Sequence, residues 1–290
     1  MTADFRSVEW DKLSFAIVGL GLIGGSYAKA LRRMNAGQII GVEMNEKTLR
    51  KASDMGLIDI AMQKPDERLR RADVLICAIY PESIAGFVRD NVQYFSRQLL
   101  MTDVAGIKGH MVSQVQEMLQ PGMEFISGHP MAGRQSSGLE MSDADIFRGA
   151  NYIIVPEKHN SEGAVRWLEN FAMALGCRRT VQVTPDEHDS IIAYTSNLPH
   201  VTAVALMNSA SFSDKTKYFV AGSFRDGTRV ADINPELWSC LFMANRDKVV
   251  LEIDRYMEQL QLWRDALSAG DADGLKELMR KAGGRRKELY

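Results

Sequence analysis

The stretch FAIVGLGLIGGSYAKAL, from Phe15 to Leu31, constrains this chain more than any other. Phe15 to Gly19 is a continuous apolar run, as in a strand buried on both faces of a parallel sheet. Gly19, Gly21 and Gly24 then supply G-x-G-x-x-G, and Ser26 to Leu31 reads as the start of a helix. In such a unit the first glycine lets the chain turn tightly. The second, lacking a Cβ, lets backbone approach a pyrophosphate, and the third lets helix pack closely on strand. The helix N-terminus offers unpaired N–H groups and the positive end of the helix dipole to phosphates, and Leu22 and Ile23 in the loop before it count with the glycines as cofactor-binding residues. Glu43, in the next apolar run IIGVEM, is placed to accept both hydroxyls of an adenosine ribose and to repel a 2′-phosphate. A glycine-rich turn alone is weak evidence. With the strand, the helix and the acidic residue together, the pattern predicts a dinucleotide site that favours NAD over NADP.

Further strands are expected in IIGVEM, ADVLICAIYP, LLMTDVAG, EFISGHP, ANYIIVP and CRRTVQVT, with helices from NEKTLRKASDMG, from about Glu82 to Tyr94, and from SEGAVRWLENFAMALG. Strands alternating with helices predict a parallel, doubly wound α/β sheet. The pattern then changes. Thr184, Pro185 and Glu187 have the spacing of an N-cap, a first-turn proline and a capping-box partner. No convincing strand follows. The expected boundary is therefore a dinucleotide-binding domain over residues 1–184 and an all-α domain over 185–290. The helix through LPHVTAVALMNSA is expected to break or bend at Pro199, which has no N–H to donate. GSFRDGTRVADINPELW reads as a non-helical link, and the basic tail MRKAGGRRKELY as a solvated end. Apolar residues such as Leu206, Trp238, Val249, Ile253 and Leu260 could form the core of a lone bundle, and a homodimer packed through these helices is the favoured further use of them.

A net charge of −2 over 290 residues gives no reason to expect nucleic acid. Three separated cysteines, without C-x-x-C spacing, argue for a reducing cytoplasm and against a disulfide framework. The opening MTADFRSVEWDKL lacks the basic start and apolar core of a signal peptide, and no apolar run approaches the roughly 20 residues that span a bilayer. None of the five histidines pairs at metal-ligand spacing, so no catalytic metal is expected.

In open α/β sheets, ligands bind beyond the carboxyl ends of the strands. The glycine loop, TDVAGIKG (with Asp103 and Gly106) and GHPMAG lie there. His129, held between Gly128 and Pro130, is placed as a proton acceptor, or is a structural histidine bonded to backbone. His200 beside Pro199 either faces a cleft or caps a helix; His188 reads as an exposed first-turn residue. Arg225 and Arg229 either grip a carboxylate through paired hydrogen bonds or form ion pairs with Asp226 or Asp232.

The motifs GLGLIGGS, TDVAGIKG, GHPMAGRQSSGLEMSDADIFRGANYIIVP, SNLPH and GSFRDGTRVA, in this order over almost the whole chain, resemble the prephenate dehydrogenase family, which includes arogenate and cyclohexadienyl dehydrogenases. The resemblance implies a nucleotide-binding domain followed by a helical dimerisation domain, and NAD-dependent oxidative decarboxylation of prephenate to 4-hydroxyphenylpyruvate on the route to tyrosine. It implies that His129 takes the proton of the ring hydroxyl, that His200 lies at the substrate site, and that Arg229 binds a substrate carboxylate with Arg225 beside it. It groups Asp103 with the cofactor-binding residues and Gly106 with the substrate. Two positions depart from the family pattern: Gly106 stands where many members have serine, and Asn197 where many have histidine. Water, or the hydroxyl of Ser136 or Ser137, can take over the role of the serine, unless Gly106 serves only a tight turn with positive φ. Two rival readings are a β-hydroxyacid or imine-reducing dehydrogenase, which normally has a lysine in the interdomain helix, and a non-catalytic NAD-sensing protein.

Like-charge repulsion and desolvation at Glu43 generate a first expectation. Turnover with NAD exceeds turnover with NADP, and Glu43→Ser narrows the gap; equal use of both cofactors by the unmodified protein would refute the role of Glu43.

Overall fold

In a computed structural model of the chain, residues 9–134 and 137–289 are described. Ser136 and most of the opening segment lie outside them. The apolar runs form a parallel sheet of β1 (Phe15–Val18), β2 (Ile39–Val42), β3 (Ile60–Met62), β4 (Val74–Cys77), β5 (Leu100–Asp103) and β6 (Glu124–Phe125), in the order β3-β2-β1-β4-β5-β6. Alternation along β1 explains how both faces are filled. Phe15 and Ile17 pack against α1 (Leu22–Arg33), α2 (Glu46–Asp54) and α5 (Glu162–Ala174), while Ala16 and Val18 face α3 (Pro81–Asn91) and α4 (Met111–Met118). All the side chains of β1 are buried, as parallel strands covered by helices require.

EFISGHP is not one strand. It divides at Ile126 into β6, the edge of the parallel sheet, and β7 (Ser127–Pro130), which pairs antiparallel with β8 (Asn151–Val155). β8 in turn pairs in parallel with β9 (Arg179–Gln182). The second sheet is thus mixed, against the expectation of one parallel sheet. The apolar run reads continuously because Phe125 and Ile126 are both wholly buried, each in a different core.

α6 (Pro185–Ile192) starts on the capping box, with the Thr184 hydroxyl accepting the Glu187 N–H and the Glu187 carboxylate accepting the Thr184 N–H. The chain does not break at Pro199. A π-turn over Ala193–Asn197 leads directly into α7 (Leu198–Met207). The wider turn, with proline in the first positions of the next segment, accommodates the missing N–H without ending the helix. The expected non-helical link is also corrected: α8 (Gly222–Thr228) carries Arg225, and a 3-10 turn over Arg229–Ala231 carries Arg229. α9 (Pro235–Ala244) and α10 (Arg246–Ala269) meet at Asn245, and α10 ends on Gly270 in the left-handed conformation. α11 (Ala272–Glu288) takes the basic tail into a helix. Many apolar side chains of these helices are exposed in the single chain, among them Leu251, Met257, Leu260, Trp263 and Leu267. No described helix is long and apolar enough to cross a membrane.

Candidate active site

The glycine loop has the shape its sequence requires. Gly19 has φ +86°, and a Cβ there would stand 2.5 Å from the Ala78 carbonyl oxygen. At Gly24 a Cβ would lie 1.8 Å from the Gly19 oxygen, so strand and helix meet only because both are glycine. Gly21 is different: nothing lies within 4 Å of a Cβ built on it, which leaves backbone facing open space at the start of α1. Glu43 is held at the rim, Oε2 accepting the Leu20 N–H and Oε1 the Asn45 N–H, both at 2.9 Å. Gly19, Gly21, Leu22, Ile23, Gly24 and Glu43 therefore lie together at the carboxyl end of β1 and β2, and the open space at Gly21 fits a pyrophosphate.

Asp103 does not reach that surface. It is wholly buried, and its carboxylate takes the Ala105 N–H and the Lys108 ammonium on Oδ2, and the Ser127 hydroxyl and Gly128 N–H on Oδ1. Lys108 is equally buried, its Nζ 2.8 Å from Asp103 and 2.6 Å from the Gly128 carbonyl oxygen. Burial pulls the Lys108 pKa down and the Asp103 charge opposes that pull. The pair staples the end of β5 to β7 and so fixes the position of His129.

His129 Nδ1 lies 2.9 Å from His188 Nε2, and His188 Nδ1 lies 2.7 Å from Asp189 Oδ1. His188 is only 2 % exposed, against the expectation of an exposed first-turn residue. Its position on the inner face of α6 puts it against β7, a contact that depends on tertiary packing. On its other side, His129 faces Gly106. A Cβ at Gly106 would lie 3.8 Å from Cε1, 3.9 Å from Nε2 and 3.8 Å from Leu241 Cδ2, ordinary contact distances. Gly106 is not among the glycines with positive φ, so backbone conformation does not demand glycine there. The tight-turn reading fails on both counts. Ser137 is exposed, and Ser136 is outside the described residues.

His200 sits on α7 just past the π-turn, its Nδ1–H donating to the Ser196 carbonyl oxygen at 2.8 Å. Its ring lies on Trp238, with centroids 3.6 Å apart. Partial burial lowers its pKa, the bond to Ser196 opposes this, and the nearby Arg229 guanidinium lowers it further. Arg229 is thus close to His200, and it is exposed to solvent; Arg225 is exposed one turn earlier. α9 joins the two halves of the site. Trp238 and Leu241, one turn apart on one face, touch His200 and approach Gly106 respectively. Lys108, His188, Asp189 and Trp238 were not anticipated from sequence. The available signal was the adjacent His–Asp pair in a helix otherwise leading into the apolar IIA.

Two family models match the chain: prephenate dehydrogenase, nucleotide-binding domain, over residues 27–181, and prephenate dehydrogenase, dimerization domain, over 184–281. The chain belongs to the prephenate dehydrogenase family. Among relatives of this family, the prephenate dehydrogenase of Bacillus subtilis (strain 168) is 30% identical over 270 residues, 91% of this chain and 72% of that protein. The structure of prephenate dehydrogenase from A. aeolicus in complex with hydroxyphenyl propionate and NAD+ superposes with a TM-score of 0.88 at 26% identity, covering 98% of this chain and 100% of that one. Synechocystis arogenate dehydrogenase superposes with a TM-score of 0.83 at 26% identity, covering 96% and 100%. The glycine loop lies just ahead of the span matched by the first family model, and the second begins at the capping box of α6.

Two expectations follow from the buried charges. Asp103→Ala leaves the Lys108 ammonium buried and unpaired, so unfolding in urea should show a loss of about 3–5 kcal/mol; a loss below 1 kcal/mol would remove the staple. His129, His188 and His200 all have pKa values lowered first by burial. The unfolded chain then binds more protons than the native one from the ordinary histidine pKa, about 6.5, down to the lowered native values. Stability is therefore full above pH 7 and falls as the pH drops through 6, and His129→Asn should flatten that slope of Tm against pH.

Proposed function

We propose that this protein catalyses the NAD-dependent oxidative decarboxylation of prephenate to 4-hydroxyphenylpyruvate. The observation that carries the reading is the setting of His129: a ring held from behind by His188, with Nε2 toward the open side of Gly106, at the carboxyl edge that the glycine loop shares. The glycine loop and Glu43 hold the dinucleotide, whose nicotinamide is the acceptor for the electron pair leaving the ring carbon. His129 removes the proton of the ring hydroxyl as that carbon is oxidised. A histidine kept neutral by burial is ready to do so at neutral pH. Arg229, with Arg225 one turn away, grips a carboxylate, and His200 is held against Trp238 beside it. Loss of CO2 makes the ring aromatic, which drives the step forward. None of these roles requires a covalent intermediate. The exposed apolar side chains of α10 support a homodimer built through the helices, and free buried cysteines at Cys77 and Cys177 suit the cytoplasm.

Arogenate is the second reading, favoured by the likeness to Synechocystis arogenate dehydrogenase. Following NADH absorbance with prephenate and with arogenate, offered separately, decides between them; no turnover of either would overturn the proposal. His129→Asn should lower kcat by about 10²–10⁴-fold with NAD affinity unchanged. Arg229→Ala should raise KM by roughly 10–100-fold, the equivalent of about 1.5–3 kcal/mol for a charge-assisted contact, with kcat nearly constant. A fall in kcat alone would place Arg229 on the transition state instead.

A further inference from the structure

The hydrogen bonds behind His129 decide which of its nitrogens is bare. Asp189 is 3 % exposed, and its Oδ1 accepts the Lys108 N–H at 2.9 Å and its Oδ2 the Gly109 N–H at 2.6 Å. Burial alone would raise its pKa; the bonds from His188 and from these two amides outweigh burial and hold the carboxyl below its usual range. An ionised carboxylate only accepts, so the nitrogen 2.7 Å from it, His188 Nδ1, carries a proton. The buried His188 ring is neutral, which leaves a lone pair on Nε2. The 2.9 Å contact between the histidines therefore runs one way, with His129 Nδ1–H donating to His188 Nε2. The remaining nitrogen, His129 Nε2, is unprotonated, and it is one of the two ring atoms nearest to Gly106.

We propose that Asp189 and His188 are positioning residues that lock His129 in the tautomer with Nε2 bare toward the substrate, and that they take up the positive charge when Nε2 is protonated. The proposal rests on the function argued above. The O–H bond of the ring hydroxyl breaks and an Nε2–H bond forms on His129. The Nδ1 proton of His129 crosses to His188 Nε2, which makes His188 the imidazolium, beside the Asp189 carboxylate. Once CO2 has left and the ring is aromatic, its oxygen is a phenolate. Both transfers then reverse, the proton returns to oxygen, and no proton is gained or lost.

The surroundings of the two rings favour this direction of charge movement. The buried Lys108 charge disfavours a cation on both rings, but only at His188 is it opposed by a directly bonded carboxylate, that of Asp189. The Lys108 ammonium is itself bonded to Asp103 and to the Gly128 carbonyl, so it does not compete as a donor in the relay. Asn245 anchors the far end, its Nδ2 donating to the Asp189 carbonyl oxygen at 2.8 Å and to Asn197 Oδ1 at 3.2 Å. The position that departs from the family pattern, Asn197, thus supports the backbone of the dyad instead of facing the open side of His129.

The test reads the tautomer directly, from nitrogen chemical shifts of 15N-histidine-labelled protein at pH 7.5 without substrate. The ring signals of His129 and His188 are identified among those of the five histidines through His129→Gln and His188→Gln. His129 should show a protonated Nδ1 and a bare Nε2. In Asp189→Asn one oxygen must serve the Lys108 N–H, the Gly109 N–H and His188 Nδ1–H, so the charge and one acceptor are lost and His129 should no longer hold a single tautomer. Turnover of Asp189→Asn should fall by about 10²–10⁴-fold with NAD binding unchanged, the scale seen when a histidine base loses its orienting carboxylate. His188→Gln keeps an acceptor for His129 Nδ1–H and should retain at least about 10-fold more activity than His188→Leu, the difference expected for one retained hydrogen bond. A bare Nδ1 on His129 in the unmodified protein, normal turnover of folded Asp189→Asn, or equal loss in the two His188 variants would overturn the proposal. If neither prephenate nor arogenate is turned over, the spectra still decide the dyad, so the two failures are separable.

Discussion

Everything at the site hangs on one buried ion pair. Lys108 and Asp103 are both fully enclosed, and neither would be tolerated alone in that position. Each is saturated by groups that matter elsewhere: Asp103 by the hydroxyl and amide that open β7, Lys108 by the carbonyl immediately before His129. The desolvation of the two charges is offset by fixing one geometry, in which the edge of the parallel sheet and the start of the second sheet cannot slide past each other. The backbone N–H of Lys108 then orients Asp189 from α6, so a single residue ties three elements to the base.

Local signals were legible where chemistry and backbone coincide. The glycine triplet, Glu43 and the capping box at Thr184 act through their immediate neighbours, so spacing alone located them. The break between β6 and β7 was not legible, because Ile126 is as apolar and as buried as a strand residue on either side of it. His188 was misplaced for a related reason. Its position in the first turn of a helix looks solvated until β7 is packed against that face. Asp103 carries the same lesson in reverse: a polar residue at the carboxyl end of a strand invites a ligand role, yet its partners are all from the protein itself.

Besides α6, the helical half contributes to the site through α9, whose Trp238 stacks on His200 and whose Leu241 comes near Gly106. His200 is sandwiched between Trp238 and the helix that carries it, so its Nε2 is the free end of a ring whose other nitrogen is tied to its own backbone. Such a ring changes orientation only if the helix does. The space beside Gly106 is then bounded by His129 on the sheet side and Leu241 on the helix side, with no strain requiring that it stay empty.

The π-turn at Ala193–Asn197 has a consequence for how the chain tolerates insertions and deletions. It holds one residue more than an α-turn would need over the same rise. Loss of a single residue there would restore regular α-helix with the phase nearly unchanged, whereas winding the same five residues as α-helix would rotate all that follows by about 100° relative to α6. In that second case the two histidines part company. His188 would stay against His129 while His200 swung off Trp238. The turn is thus a phase adjuster: it lets one continuous rod present two histidines to one cleft from positions whose spacing an unbroken 3.6-residue period does not align.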